Sequence, residues 1–172
     1  GLSLFGSSSR SRGFVIVKDA NAARPTHNND FDLGSPTLRW SAIYSQTSVN
    51  TSDRNLKNTI TDSDLGLSFI NKLRPVSFKF IQKEGERTDT KTHYGLIAQE
   101  IETVLASESK TLDDFAGIVK PDDYNEEGTG SPMSLGYNEL IAPLIKAVQE
   151  LKKENDDLKT LIKNSSSFAT LK

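Results

Sequence analysis

The strongest constraint on this chain is a heptad pattern near its C-terminus. From Asn138 the apolar residues fall on two seam positions. Ile141, Val148, Asn155 and Ile162 take one, and Leu144, Leu151 and Leu158 take the other. The residues between are mostly Lys, Glu, Asp and Gln, so the apolar stripe is narrow. A narrow stripe of this period specifies a coiled-coil seam rather than a helix laid on a domain core. Oligomerisation follows from it. At about 1.5 Å per residue a helix from Asn138 to Lys163 spans roughly 39 Å. Pro143 is tolerated if Asn138 caps the helix and the proline falls in its first turn and a half; otherwise the regular helix begins just before it. β-branched residues at a and leucines at d by themselves favour a parallel dimer, and Asn155 at an a position would set register. Three heptads do not decide the strand number.

Ahead of this helix the composition changes. Residues 1–51 are rich in Ser, Asn, Gly and Thr, with short apolar runs, "GFVIVKD" and "SAIYSQTSV", that predict strands separated by turns such as "NNDFDLGSP". They show no helical periodicity and too little apolar mass for a private core. Across the 172 residues the apolar share is 35% and the charged share 26%, lean for a compact globule. Part of the chain is therefore expected to be extended or buried only against other subunits.

Residues 52–136 predict a mixed α/β domain. "DSDLGLSFINKL" sets Leu65, Phe69 and Leu73 at four-residue steps after an aspartate or serine cap, a short helix that Pro75 stops. "PVSFKFI" alternates Val76, Phe78 and Phe80 on one strand face. After the polar loop "QKEGERTDTK", "THYGLIAQEIETVLAS" predicts a strand through Gly95 and then a helix with Ile97, Ile101, Val104 and Leu105 inward. "GIVKP" predicts another short strand, and "PDDYNEEGTGSP" an exposed acidic loop. The expected segments are thus 1–51, 52–136, a helix over 137–163 and a polar tail over 164–172.

Several function classes are excluded. A net charge of −2 and a pI near 5.7 argue against a nucleic-acid binder, which would carry a basic face. No window reaches the roughly 18 consecutive apolar residues of a membrane span, and no signal peptide opens the chain. There is no cysteine, so disulfides, thiolate chemistry and cysteine-bound zinc are out. His27 and His93 lie far apart, with no helical or hairpin spacing that groups them with carboxylates, so no metal or other cofactor is expected.

One polar stretch carries possible chemistry. In "NTSDRNLKN", residues 50–58, Ser52 precedes Lys57 by five positions. With 20 serines and 14 lysines in the chain, about one or two such pairs arise by chance, so spacing alone decides nothing. Ser52 or Asp53 could simply cap a turn, with Lys57 a solvated charge. Catalysis would need the lysine to take the serine proton, and that requires burial or positive charge to lower its pKa toward neutrality. Arg54 would help if it came close, and Asp53 would oppose it. An offset of five places the side chains on opposite faces of a strand and about 140° apart around a helix. They meet only across a bend, which "TSDRNLK" permits.

The order of these motifs resembles the C-terminal intramolecular chaperone auto-processing domain. That family ends phage endosialidase tailspikes, tail fibres and neck appendages, and has a relative in the membrane-bound myelin regulatory factor type of transcription factor. "DLGSPTLRWSAIYSQ", at 32–46, is similar to the segment that precedes the family's cleavage point, and "TSDRNLKNTI" to the cleavage motif. "LRPVSFKF", "HYGLIAQEIETVL" and "SLGYNELIAPLIKAVQEL" resemble its strand, strand–helix and terminal-helix signatures. Each piece is weak alone, and five in order are specific. The terminal "NSSSFATLK" matches no motif, and the dimer-leaning seam departs from the implied trimer.

The resemblance implies an α+β homotrimer: a β-rich N-terminal segment ending an intertwined triple-stranded β-structure, a small mixed α/β domain, and a long C-terminal coiled-coil helix. It implies that the domain assists folding of the upstream β-structure and then cuts itself off with a Ser–Lys dyad. Ser52 matches the nucleophile and Lys57 its partner, with the scissile bond between Thr51 and Ser52. The implied partners are further copies of the chain and its own upstream fibre domain, with no nucleic acid and no membrane. The mature part would sit in a phage tail or appendage, and the chaperone would be released in the host cytoplasm during assembly. A trimer is expected over a dimer because a domain around the helix can override its seam. The alternative is a trimeric fibre-tip or attachment module without chemistry, in which Ser52 merely caps a turn. No carboxylate pair suggests glycoside hydrolysis.

Overall fold

The structure, a computed structural model, describes residues 3–5, 13–17, 22–28, 32–35, 37–40, 42–46, 50–81 and 89–165. The chain divides into two compact units, 1–40 and 41–172. In the first, β1 (Ser3–Phe5), β2 (Gly13–Val17) and β3 (Ala22–Pro25) form an antiparallel sheet in that order, with Phe14 opposite Pro25 and Val17 opposite Ala22. The strand expected in "GFVIVKD" is β2. The turn near "DLGS" depends on Gly34, whose φ of +97° lies in the region open to glycine. Ser35 N–H then donates to the Leu38 carbonyl at 3.0 Å.

The strand expected in "SAIYSQTSV" is not present over the described residues 42–46, which are irregular with Ile43 and Tyr44 exposed. An extended run becomes a strand only when another strand takes up its hydrogen bonds, and none does so there. The rest of that run, with the loop residues 82–88 and the tail residues 166–172, lies outside the described residues.

The second unit is a small mixed α/β domain with a long C-terminal helix. Its helices are α1 (Leu67–Lys72), α2 (Ala98–Ser107) and α3 (Ile141–Asn164). Two antiparallel pairs accompany them: β4 (Val76–Phe78) with β5 (His93–Gly95), and β6 (Ile118–Val119) with β7 (Ser134–Leu135). The core is Leu65, Phe69, Ile101, Leu105, Phe115 and Ile118. The Phe69 and Phe115 rings meet at 6.0 Å between centroids and 59° between planes. α2 supplies the inward face expected of it at Ile101 and Leu105, each 1% exposed, with Val104 half-buried. Ile97 instead sits at the N-cap, 37% exposed.

Three further expectations change in detail. β4 stops at Phe78, and Phe80 lies beyond it, half-exposed, with its ring edge-on to Phe78 and His93. α1 starts at Leu67, so Leu65 packs from the lead-in and Leu73 from the C-cap. Its N-cap is Gly66 rather than an aspartate or serine, and the missing cap comes from α3. Glu150 Oε2 accepts the Leu67 N–H at 2.7 Å. A Cβ at Gly66 would lie 2.3 Å from that oxygen, so only glycine admits the carboxylate.

The α3 helix also departs from the expected form. Its regular part begins two residues before Pro143, after a 3-10 turn at Tyr137–Leu140, so the proline falls where no intrahelical N–H bond is lost. Pro143 and Ala147 are buried, and with Glu150 they form a second face that docks on α1. The helix therefore does pack on its domain, through a face beside the seam. Ala147 is small enough to let the helices approach.

Candidate functional site

Residues 50–64 run over the surface, every one exposed, before Leu65 enters the core. At residues 53–57 the chain makes a short bend. Asp53 is extended (φ −66°, ψ 133°), Arg54–Leu56 form a 3-10 turn, and Lys57 is extended again (φ −120°, ψ 144°). Asp53 caps the turn, its Oδ1 accepting the Asn55 N–H at 2.8 Å. The Asp53 and Arg54 carbonyls accept the N–H groups of Leu56 and Lys57, each at 3.1 Å.

This bend overcomes the unfavourable offset of five. Lys57 Nζ donates to Ser52 Oγ at 2.8 Å. Asp53, not Ser52, takes the capping role, which leaves the serine hydroxyl to the lysine. Thr51 precedes the pair, exposed. In the hydrogen bond as it stands the ammonium donates; for base chemistry a neutral amine would accept the serine O–H in the same geometry. Two residues on, Thr59 has φ +49°, a left-handed conformation uncommon for a β-branched residue. Outlying backbone so close to the pair accords with a constrained segment.

The expected seam residues line up along α3 and remain open to solvent. Ile141, Leu144, Val148, Leu151, Leu158 and Ile162 are 45–59% exposed, and Asn155 is exposed among them. Each histidine has a neighbour within its own unit. His93 Nε2 lies 2.8 Å from Asp89 Oδ2 and its ring stacks on Phe78 at 5.6 Å, whereas His27 Nδ1 lies 3.0 Å from Thr26 Oγ1. The Lys91 backbone N–H and then His93 hold the Asp89 carboxyl below its usual range. Among the described residues no group of three His, Cys, Asp or Glu could hold a metal ion, and no helix is long and apolar enough to cross a membrane.

Two positioning residues were not foreseen. Glu150 reads as one more outer charge of the heptad, and only the uncapped Gly66 could have signalled its role. Tyr137 donates nothing to the seam; its hydroxyl accepts the Leu96 N–H at 2.9 Å, and a Cβ at Gly95 would come within 2.2 Å of it. It thereby ties the 3-10 turn before α3 to the end of β5.

A small α/β domain with a surface serine–lysine pair at its start and a long helix at its end is a recognisable combination. The solved carboxy-terminal domain of the bacteriophage T5 L-shaped tail fibre, with its intramolecular chaperone domain, has the same fold. The two share a TM-score of 0.62 and 19% identity over 91% of this chain. This chain spans 44% of the length of that one. Residues 52–110 match the model of the family described as the chaperone of endosialidase, so that segment carries the family signature its motifs resemble. No curated protein sequence matches the chain.

Proposed function

We propose that residues 52–172 are an intramolecular chaperone that trimerises, assists folding of an upstream phage fibre or tailspike β-structure, and releases itself between Thr51 and Ser52. The observation that carries this reading is the Lys57 Nζ–Ser52 Oγ contact of 2.8 Å. It sits at the residue where the family match begins. The family's designation as a peptidase supports it further.

The chemistry balances with water as the only co-reactant. Lys57, as the neutral amine, takes the proton of Ser52 Oγ, which attacks the Thr51 carbonyl carbon. The Thr51 C–Ser52 N bond breaks, and the lysine ammonium returns its proton to the departing amine. Thr51 is left as an ester on Ser52 Oγ. Water hydrolyses the ester, giving a Thr51 carboxylate and a chaperone whose first residue is Ser52 with a free amine. No substrate pocket is needed, because the scissile bond adjoins the nucleophile.

Assembly gives this chemistry its timing. The dyad bend exists in one chain but lies open to solvent, where an ammonium is well hydrated. A neighbouring protomer over this surface would disfavour the charged amine and turn on the base. The seam along α3, exposed and apolar, supplies the trimer contact. Holding three C-termini together makes pairing of upstream strands effectively intramolecular, which offsets the slow formation of high-contact-order β-structure. Removal of the chaperone then leaves the fibre kinetically trapped in its folded form.

The test is a denaturing gel of the purified parent, Ser52→Ala and Lys57→Ala. The parent splits and both variants stay whole. Loss of the seam through Ile141→Asp with Val148→Asp leaves a chain that does not split. Undiminished splitting of that monomeric variant would remove the link to assembly while leaving the dyad. A folded, trimeric parent that remains whole would favour the attachment module without chemistry.

A further inference from the structure

We propose that Asp53 is a positioning residue for the Ser52–Lys57 pair, acting through the turn it caps; this rests on the self-cleavage reading. Residues 50–64 are all exposed, so among the described residues packing does little to hold the bend. Its internal bonds hold it. Two are between backbone groups, Leu56 N–H to the Asp53 carbonyl and Lys57 N–H to the Arg54 carbonyl, and any residue but proline could donate them. The third, Asn55 N–H to Asp53 Oδ1 at 2.8 Å, depends on the side chain at 53.

A single turn in water is marginal, because a few hydrogen bonds must hold several dihedrals, so each bond counts. Without the cap it frays, and the Lys57 amine leaves the serine. If Ser52 turned to cap the turn, its hydroxyl would be lost to the lysine. One residue therefore shapes the bend and its neighbour does the chemistry. Asp53 itself needs neither to touch the scissile carbonyl nor to move a proton.

The cap role is separable from a charge role. Asparagine and aspartate cap about equally well, whereas glutamate keeps the charge and is not a favoured cap. The full chain is compared with Asp53→Ala, Asp53→Asn, Asp53→Glu and Ser52→Ala, reading the initial rate at which the 52–172 fragment appears. Melting temperature and trimer content are matched across the set. Asp53→Ala and Asp53→Glu slow splitting roughly five- to tenfold, the effect of losing one cap, and Asp53→Asn recovers the rate to within about threefold of the parent. Asp53→Ala splitting as fast as the parent would overturn the positioning role. So would Asp53→Asn as slow as Asp53→Ala with Asp53→Glu fast, since charge would then be the cause. Should Asp53→Ala fail to trimerise, the Asn and Glu variants decide alone. A parent no faster than Ser52→Ala overturns the cleavage reading itself, and this inference with it.

Discussion

α2 and α3 carry the same kind of signal, apolar residues at helical spacing, and meet opposite fates. The ten residues of α2 bury Ile101 and Leu105 almost completely against Phe69 and Phe115. The 24 residues of α3 bury only Pro143 and Ala147, and its isoleucines and leucines stay 45–68% exposed. One helix is satisfied by its own chain. The other presents an apolar stripe far larger than a solitary helix has reason to keep in water. Self-sufficiency and incompleteness thus occupy adjacent parts of one unit, as the proposed chaperone requires if it forms early and then recruits copies of itself.

Breaking each helix should therefore fail differently. Phe69→Ala removes a fully buried ring and is expected to destabilise the α/β domain by about 3–5 kcal/mol, seen as loss of its cooperative melting transition. Leu151→Asp with Leu158→Asp is expected to change sedimentation from three copies to one while that domain's transition persists. A loss of the domain transition in the seam variant, or intact trimers, would dissolve the distinction between the two helices.

Acid sharpens the comparison. Hydrogen bonds from Lys110 hold the Asp64 carboxyl below its usual range, and those from Lys72 and Ser68 do the same for Glu108. The Thr111 backbone N–H and hydroxyl do so for Asp114. A carboxyl lowered on folding contributes stability above its unfolded pKa, near 4, and loses it as pH falls through the folded value. The melting temperature should be flat between about pH 7 and 5 and fall below about pH 4. The Asp64 and Glu108 pairs fasten the α1 region to the end of α2, and the Asp114 pair closes the turn that follows, so the α/β domain should loosen on that descent; a melting temperature unchanged at pH 3 would count against them.

The smallest effect lies at the end of α2. Lys110 N–H reaches the Leu105 carbonyl and Ser109 N–H the Ala106 carbonyl, a Schellman closure with Ser109 at φ +58°. Glycine takes that conformation without strain, so Ser109→Gly should stabilise by roughly 0.5–1 kcal/mol in denaturant unfolding. A destabilised variant would mean that the serine side chain has a role there.

What could be read from the residues alone follows a physical line. Local periodicity exposed α2, the core pair Ile101 and Leu105, and the length of α3, because those depend on near neighbours. The docking of Ala147 and Glu150 on α1 was hidden, because a buried alanine and a distant carboxylate leave no period. The run around Ile43 and Tyr44 read as a strand because propensity is local, whereas pairing is not. The proposed serine–lysine dyad was the hardest case. Ser52 and Lys57 are common residues at an unhelpful spacing, and chance accounts for one such pair. Motif order singled them out, and the capped bend shows how they meet.

The most direct measurement is the intact mass of the folded parent chain, its oligomeric state checked by sedimentation, with and without hydroxylamine, which cleaves esters. The account predicts two species, one ending at Thr51 and one beginning with the free amine of Ser52. During the reaction hydroxylamine should divert the first to a Thr51 hydroxamate, and Ser52→Ala should yield neither. A folded trimer that keeps the mass of all 172 residues, or that splits elsewhere, would contradict it.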